Sequence, residues 1–148
     1  MGKILLTGAN GYIGKRLLTE LVAQSYQVVC CVRDPNRFQV PEYLAANIEI
    51  IKVDFSNPIP PDLIPKDIQA AYYLIHSMSS SIEFDVLEAQ CAGHFKSAIE
   101  QSSVEQVIYL SGISNNDTLS KHLSSRKRVE DILQSDAYSL TVLRAGII

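Results

Sequence analysis

Short apolar runs alternate with longer amphipathic stretches along this chain, which is the pattern of buried strands connected by helices. Six apolar runs predict strands at residues 3–7, 27–32, 47–53, 70–75, 106–111 and 139–143. Amphipathic stretches predict helices at residues 12–25, 82–102 and 119–134. In the second helix, the expected buried face consists of Phe84, Leu87, Cys91, Phe95 and Ala98. Residues 35–46 fit a loop with a short helix.

The order of these elements predicts the fold class. Strands that are apolar on both faces and alternate with helical crossovers favour a parallel sheet covered on both sides. Right-handed crossovers then give a doubly wound α/β domain with three αβα layers. Residues 1–148 are expected to form one such domain. Its apolar end directly after the sixth strand suggests that a substrate-binding part follows.

Composition narrows the classes of partner. The 148 residues are 47% hydrophobic and carry a formal charge of −3, which argues against a basic nucleic-acid-binding surface. No apolar run reaches the ~20 residues that cross a bilayer, and no secretory leader is visible. Cys30, Cys31 and Cys91 have no metal-ligand spacing and are expected to be packing residues. We therefore expect a cytoplasmic protein without a metal site, a membrane segment or a nucleic-acid partner.

A glycine-rich turn is expected where the first strand leads into the first helix, because three of the seven glycines lie between residues 8 and 14. Gly8 suits a tight turn, Gly11 lets backbone N–H groups approach a pyrophosphate, and Gly14 allows close packing of the helix on the strand. The helix N-terminus adds a partial positive charge. The sequence therefore predicts a dinucleotide-binding turn, with a ligand-free glycine turn as the alternative.

The motif Thr-Gly-x-x-Gly-x-x-Gly, which begins at residue 7, resembles that of extended and atypical short-chain dehydrogenases/reductases. Five later segments extend the resemblance to the NmrA-like and YbjT-like atypical group. They are residues 32–35, 73–78, 109–112, 122–126 and 143–146. The resemblance covers essentially the whole chain. It implies a Rossmann-type NAD(P)-binding domain, in a family whose members usually continue well past this end.

The family resemblance and the chemistry of the turn together indicate where a dinucleotide would bind. In the turn, the expected contacts are Thr7, Gly8, Asn10, Gly11, Tyr12, Ile13 and Gly14. Leu74, Ile75 and His76 end the fourth strand, where family members line the ribose of the cofactor. His76 has a second interpretation, as a strand-end histidine that hydrogen-bonds backbone groups.

The loop after the second strand bears on the choice of dinucleotide. Arg33 and Arg37 form a plausible clamp for the 2′-phosphate of NADP, since a guanidinium binds phosphate through two parallel hydrogen bonds. Asp34 lies between them, and a free carboxylate there would instead bind the ribose 2′-hydroxyl of NAD. The alternative is a solvated loop in which Asp34 caps the following turn. We expect NADP(H), with NAD still possible.

Asp54 and Phe55 follow the third strand. The resemblance implies that Asp54 matches the position that reaches the adenine amino group, and Phe55 beside it would pack on the adenine ring. The alternative is that residues 54–57 only start a turn.

The Tyr-x-x-x-Lys pair of most short-chain dehydrogenases is absent, because no Tyr precedes any of the seven Lys by four positions. His122 and Arg126 stand in its place, four residues apart on one helical face. His122 would act as an acid near neutrality, and Arg126 would hold ribose hydroxyls or a phosphate. The alternative, which we favour, is that both are surface residues. Ser111 and Ser114 match the region of the family's catalytic serine, whose hydroxyl would polarise a substrate carbonyl.

Two functions from different classes remain. The first is an NADP(H)-dependent oxidoreductase that acts on an unknown small carbonyl or quinone-like acceptor. The second is a non-catalytic module that binds NADP(H) and reports the redox state by changing a partner contact. A sugar-nucleotide epimerase is weaker, since that chemistry depends on the missing Tyr. The paired carboxylates Glu130 and Asp131 are expected on the solvated helix surface rather than in a site.

Overall fold

Six parallel strands form one sheet at the centre of the fold. The computed structural model describes residues 2–76, 83–113 and 121–146, without the side chains of Lys121 and His122. The strands are β1 Lys3–Thr7, β2 Gln27–Val32, β3 Ile48–Lys52, β4 Ile68–Tyr73, β5 Gln106–Gly112 and β6 Ser139–Ala145. Their spatial order is β3-β2-β1-β4-β5-β6. The order reverses between β1 and β4, so the carboxyl ends of these two strands flank a crevice.

Helices lie on both faces of the sheet. They are α1 Tyr12–Ala23, α2 Phe84–Ile99 and α3 Lys121–Leu133, and two short 3₁₀ helices at Pro35–Arg37 and Glu42–Asn47 connect β2 to β3. One apolar cluster joins α1 to the sheet, and a second joins α2 and α3 to the opposite face. The predicted fold class, a doubly wound Rossmann-type α/β domain with three αβα layers, is confirmed.

Consecutive residues of a strand belong alternately to the two apolar clusters, because side chains along a strand point to opposite faces of the sheet. Cys30 belongs to the α1 cluster and Cys31 to the α2–α3 cluster, and both are buried. Burial raises the pKa of the Cys30 thiol to about 12. Both thiols are therefore protonated near neutrality and act as packing groups, as predicted.

The α1 face of the sheet is only half covered within the described part of the chain. Beyond α1, the strands β4, β5 and β6 form the floor of an open apolar groove of about 630 Å³. Tyr72, Ile108 and Leu143 contribute to its lining, and Leu143 is 50% exposed. The expectation of a sheet covered on both sides is thus met across the α2–α3 face but only in part on the other.

The buried face of α2 differs from the predicted one. Its buried residues are Phe84, Glu88, Ala92, Phe95 and Ile99. Leu87 is instead 37% exposed. A carboxylate therefore occupies a buried position that the apolar pattern had assigned to its neighbour. The first residue of the predicted range, 82, lies outside the described residues, as do residues 119 and 120 of the third predicted helix.

Candidate functional site

The turn between β1 and α1 is built tightly against the end of β4. Gly8 has a φ of +66°, a backbone conformation that favours glycine. A Cβ at Gly8 would lie 2.8 Å from the Leu74 carbonyl oxygen, and a Cβ at Gly14 would lie only 2.1 Å from the Gly8 carbonyl oxygen. Glycine at position 8 therefore lets the turn pack against the backbone at Leu74, just after β4. Glycine at position 14 lets the first turn of α1 pack against the Gly8 carbonyl.

The N-terminus of α1 presents free backbone donors. Gly11 is the residue before the helix, its N–H donates to the Gly8 carbonyl at 3.0 Å, and no side chain caps the helix. The first turn of α1 contains no acidic residue. The N–H groups of the first turn thus have no intrahelical acceptor, and the helix dipole makes this end attractive to an anion.

The side chains around the glycines have separate surroundings. Asn10 is exposed, and Tyr12 is 65% exposed with the Arg16 guanidinium 3.6 Å from the centre of its ring. Ile13 is half-buried and lines the apolar groove. The structure brings Asn10, Tyr12 and Ile13 to the turn, where their backbone lies beside Gly11.

The Thr7 side chain joins the two strands that flank the crevice. Its side chain is fully buried, and its hydroxyl donates to the Tyr72 carbonyl and accepts from the Leu74 N–H, both at 3.0 Å. This hydroxyl clamps the ends of β1 and β4 at the point where the strand order reverses. The expected cofactor contact of Thr7 stays a prediction, and its hydroxyl is already bonded to these two backbone groups.

The loop after β2 pairs two of the three charged residues that were predicted to determine the dinucleotide preference, Asp34 and Arg37, and leaves Arg33 outside that pair. The Asp34 carboxylate accepts a hydrogen bond from the Asn36 N–H at 3.1 Å and lies 3.5 Å from Nε of Arg37. Asp34 therefore caps the short 3₁₀ helix, as the alternative interpretation of this loop predicted. Arg33 is exposed and forms no salt bridge with another residue that the structure describes. Its charge adds to the Ser56 hydrogen bonds that lower the pKa of the nearby Asp54 carboxyl.

The turn after β3 holds the two residues that were predicted to contact adenine, Asp54 and Phe55, in different surroundings. Asp54 accepts hydrogen bonds from the Ser56 hydroxyl at 2.6 Å and the Ser56 N–H at 3.0 Å, and these bonds lower the pKa of its carboxyl. It is an exposed turn residue, as the alternative predicted. Phe55 is only 5% exposed and packs edge-on against Phe95 of α2 at 5.8 Å between ring centres. The expected stacking of Phe55 on adenine is therefore wrong, because its ring belongs to the core.

Leu74, Ile75 and His76 lie just after β4, which ends two residues earlier than predicted. Each is half-buried, and the three residues continue the chain across the crevice opposite the glycine turn. The Leu74 carbonyl lies against Gly8, so this segment borders the glycine turn.

His76 is neutral at physiological pH. Burial and the nearby Arg126 guanidinium lower its pKa to about 4, against a smaller opposing effect of a hydrogen bond to the Leu110 backbone. Its ring lies 6.2 Å from that of Tyr109, and its Nδ1 is buried without a hydrogen-bond partner among the described residues. The backbone-bonded interpretation of His76 thus accounts for one ring nitrogen and leaves the other available.

Arg126 points at the end of β5. A Cβ added to Gly112, the last residue of β5, would lie 2.9 Å from Nη1 of Arg126 and 2.7 Å from Cδ2 of Leu123. Arg126 is therefore only partly solvated, since the residue has intermediate exposure and its guanidinium lies over the strand end. Ser111 precedes Gly112 and is buried, at 2% exposure. The His122 side chain and Ser114 lie outside the described residues.

Sequence reasoning missed a partly buried ion pair beside this end of the sheet, in which only the carboxylate is buried. Glu130 of α3 is 4% exposed, and its carboxylate accepts a hydrogen bond from Arg144 of β6 at 2.9 Å. Lys127 lies 3.5 Å from the same carboxylate. The prediction of a solvated Glu130 is wrong, because the helix turns this residue toward β6. No local pattern reveals the pair, since its partners are fourteen positions apart.

Within the described ranges, no group of three or more His, Cys, Asp or Glu side chains is arranged to hold a metal ion. The same residues include no helix that is long and apolar enough to span a bilayer.

Comparison with known proteins identifies the family. Residues 8–147 match the model of a family described as NAD(P)H-binding. No curated protein matches the sequence.

Solved structures with nicotinamide cofactors share the fold. MoeE5 in complex with UDP-glucuronic acid and NAD is 21% identical, with a TM-score of 0.74 over 97% of this chain and 54% of its own. A Bacillus halodurans protein, provisionally named an NAD-dependent epimerase/dehydratase, is 18% identical, with a TM-score of 0.80 over 99% of this chain and 71% of its own. Yeast methylglyoxal/isovaleraldehyde reductase Gre2 complexed with NADPH is 17% identical, with a TM-score of 0.76 over 97% and 57%. The chain thus spans about half the length of MoeE5 and Gre2.

Proposed function

The chain belongs to the NAD(P)H-binding family, and from this premise we propose that it is the cofactor-binding part of an NADP(H)-dependent oxidoreductase of the atypical, NmrA-like type. Its acceptor would be a small carbonyl or quinone-like compound. The observation that carries the proposal is the glycine turn. Gly8 and Gly14 let the uncapped N-terminus of α1 open toward the ends of β1 and β4, where a pyrophosphate needs backbone donors.

The remaining contacts follow from that placement. Backbone N–H groups of Asn10 to Ile13 would hold the pyrophosphate, and the chain at Leu74, Ile75 and His76 would line the ribose. Asp54 would bind the adenine amino group through Oδ2, which Ser56 does not contact and to which Asn57 Nδ2 donates a long hydrogen bond of 3.5 Å. On the reacting side, we assign Arg126, Ser111 and His122 to the nicotinamide ribose and the substrate.

A preference for NADP(H) is supported by how the charges after β2 are used. The Asp34 carboxylate accepts a hydrogen bond from the Asn36 N–H and lies 3.5 Å from Nε of Arg37, so it is less available to a ribose 2′-hydroxyl than a free carboxylate would be. The Arg33 guanidinium, in contrast, is exposed and forms no salt bridge among the described residues, although its charge acts on the nearby Asp54 carboxyl. Arg33 is therefore the proposed 2′-phosphate ligand, with Arg37 a weaker second one because it must first leave Asp34.

The test of this assignment is Arg33→Ala, measured by calorimetric titration with NADPH and with NADH. Loss of one charge-assisted phosphate contact of about 1.5–3 kcal/mol weakens NADPH binding roughly 10-fold or more and leaves NADH binding almost unchanged. Arg128→Ala, an exposed substitution on α3 that removes the same charge, is the matched control and should affect neither ligand. Equal losses for NADPH and NADH in Arg33→Ala would exclude Arg33 as the reader of the 2′-phosphate.

The alternative function, a non-catalytic sensor of NADP(H), is favoured by one observation. Position 122 carries His and position 126 Arg, in place of the Tyr and Lys that exchange a proton with a substrate carbonyl. Methylglyoxal and 1,4-naphthoquinone, as probes of the two acceptor classes, separate the functions when NADPH oxidation is followed by absorbance. An oxidoreductase oxidises NADPH in the presence of at least one of the two acceptors. A sensor binds NADP and NADPH with different affinities and oxidises NADPH with neither acceptor.

A further inference from the structure

Arg126 is a residue of intermediate exposure that forms no ion pair with any other residue that the structure describes. No carboxylate of a described residue lies within ion-pair distance of it. Glu130 lies four positions further along α3, at the spacing that ordinarily allows a helical ion pair. The Glu130 carboxylate is instead bound by Arg144 at 2.9 Å and approached by Lys127 at 3.5 Å. Among the described residues Arg126 therefore has no carboxylate partner, so its guanidinium donors are available to an anion.

The neighbours of Arg126 on the sheet do not supply that anion. His76, which is close enough for Arg126 to lower its pKa, is neutral near pH 7. Burial raises the pKa of Tyr109 well above its usual value, so that phenol is neutral as well. The described groups that face Arg126 from β4 and β5 are thus neutral. The buried Glu88 carboxylate of α2 acts on the same Tyr109 phenol as Arg126 does, but it forms no salt bridge with Arg126.

Gly112 determines where the guanidinium lies. Any Cβ at this position would come within 3 Å of both Nη1 of Arg126 and Cδ2 of Leu123. Because Gly112 has no side chain, the Arg126 guanidinium can lie directly over the end of β5. Gly112 acts through Arg126 and is a positioning residue.

We propose that Arg126, placed over Gly112, binds a negatively charged group of the second ligand, so that the substrate is an anion carrying a carboxylate or phosphate. A guanidinium presents two parallel N–H donors to either group, which suits such recognition better than it suits the hydroxyls of a ribose. The inference rests on the proposed function in one respect, since it takes the ends of β4 and β5 as the substrate side of a dinucleotide site.

The test uses the chain with ¹⁵N-labelled arginine and inorganic phosphate as the probe, at constant ionic strength. The Nε–Hε resonances of Arg126 and Arg128 are followed during the titration, because Arg128 is an exposed arginine of the same helix. The Arg126 resonance should shift saturably with an apparent Kd at least about 10-fold lower than that of Arg128. Equal, weak responses of the two arginines would mean nonspecific screening and would overturn the proposal.

Two variants and one cofactor arm complete the experiment. Gly112→Ala should raise the phosphate Kd of Arg126 toward that of Arg128. Arg126→Lys keeps the charge but loses the paired donors, so phosphate protection of the variant against thermal unfolding should be smaller than for the parent protein. If both variants respond to phosphate like the parent protein, Arg126 is not the anion ligand.

The titration is then repeated at saturating NADPH. Persistence of the Arg126 response assigns the anion to a second ligand, whereas its loss assigns the site to a cofactor phosphate and contradicts the proposal. A failure of NADPH to bind at all is seen separately in the NADPH titration. It would count against the proposed function while leaving the phosphate response of Arg126 measurable.

Discussion

The close contact between Gly14 and the glycine turn makes a specific prediction about stability. In Gly14→Ala, the new Cβ would lie 2.1 Å from the Gly8 carbonyl oxygen and 2.9 Å from Cα of Ala9. Both are backbone atoms, so neither can rotate away, and the first distance is more than an ångström inside ordinary van der Waals contact. The helix must move off the turn, or the turn must distort.

The size of the effect follows from two opposing contributions. Alanine in place of glycine inside a helix favours folding by about 1 kcal/mol. Overpacking ordinarily costs about 1–3 kcal/mol, and a collision with rigid backbone lies at the upper end or beyond. We expect a net destabilisation of about 2 kcal/mol, which lowers the Tm of a chain of this length by roughly 4–8 °C.

Gly93→Ala is the matched control for this experiment. Gly93 lies within α2, where an added Cβ meets no atom within 4 Å, so only the helix propensity changes. The control should gain about 0.5–1 kcal/mol. Both variants are compared by thermal and urea unfolding followed by circular dichroism. A Gly14→Ala protein that unfolds at or above the temperature of the parent would refute the packing argument.

Three further substitutions test the site. Gly11→Asp should leave the fold intact, because Asp is a favoured residue before a helix. The new carboxylate should repel a pyrophosphate and abolish NADPH binding. An unchanged affinity for NADPH would show that Gly11 is not part of the site. Since the pKa of His76 is lowered to about 4, its contribution to stability is complete above about pH 6.5 and is lost as the pH falls toward 4. The Tm should therefore decline less between pH 7 and pH 5 in His76→Gln than in the parent, and identical declines would contradict that pKa. Arg144→Met leaves the buried Glu130 with only Lys127 and should cost about 1–3 kcal/mol in urea unfolding, most of it recovered in the double variant with Glu130→Gln. An Arg144→Met variant as stable as the parent protein would show that the Arg144–Glu130 ion pair does not contribute to stability.

Features that depend on local geometry could be predicted from the sequence. The positive φ of Gly8 and the close approach at Gly14 follow from a short turn between a strand and a helix, which three glycines at fixed spacing already indicate. The two strands Lys3–Thr7 and Gln27–Val32 were predicted at their observed bounds, because each is a continuous apolar run that β-sheet neighbours bury on both faces.

Features that depend on distant partners could not be predicted. Phe55 looks like an adenine-stacking residue until Phe95, forty positions away, is seen against its ring. Glu130 looks solvated because its partner Arg144 lies on another element. The orientation of Arg126 likewise depends on the absence of a side chain at Gly112, on a neighbouring strand. In each case the tertiary contact, and not the local pattern, decides the role of the residue.

The central claim is that the glycine turn binds a nicotinamide dinucleotide and prefers the phosphorylated form. Calorimetric titration of the chain with NADPH and, separately, with NADH tests it most directly. The account predicts one saturable site with a lower Kd for NADPH, because Arg33 is free to bind the 2′-phosphate while Asp34 is already engaged. Binding of neither dinucleotide would contradict the claim, and tighter binding of NADH would contradict the assignment of Arg33.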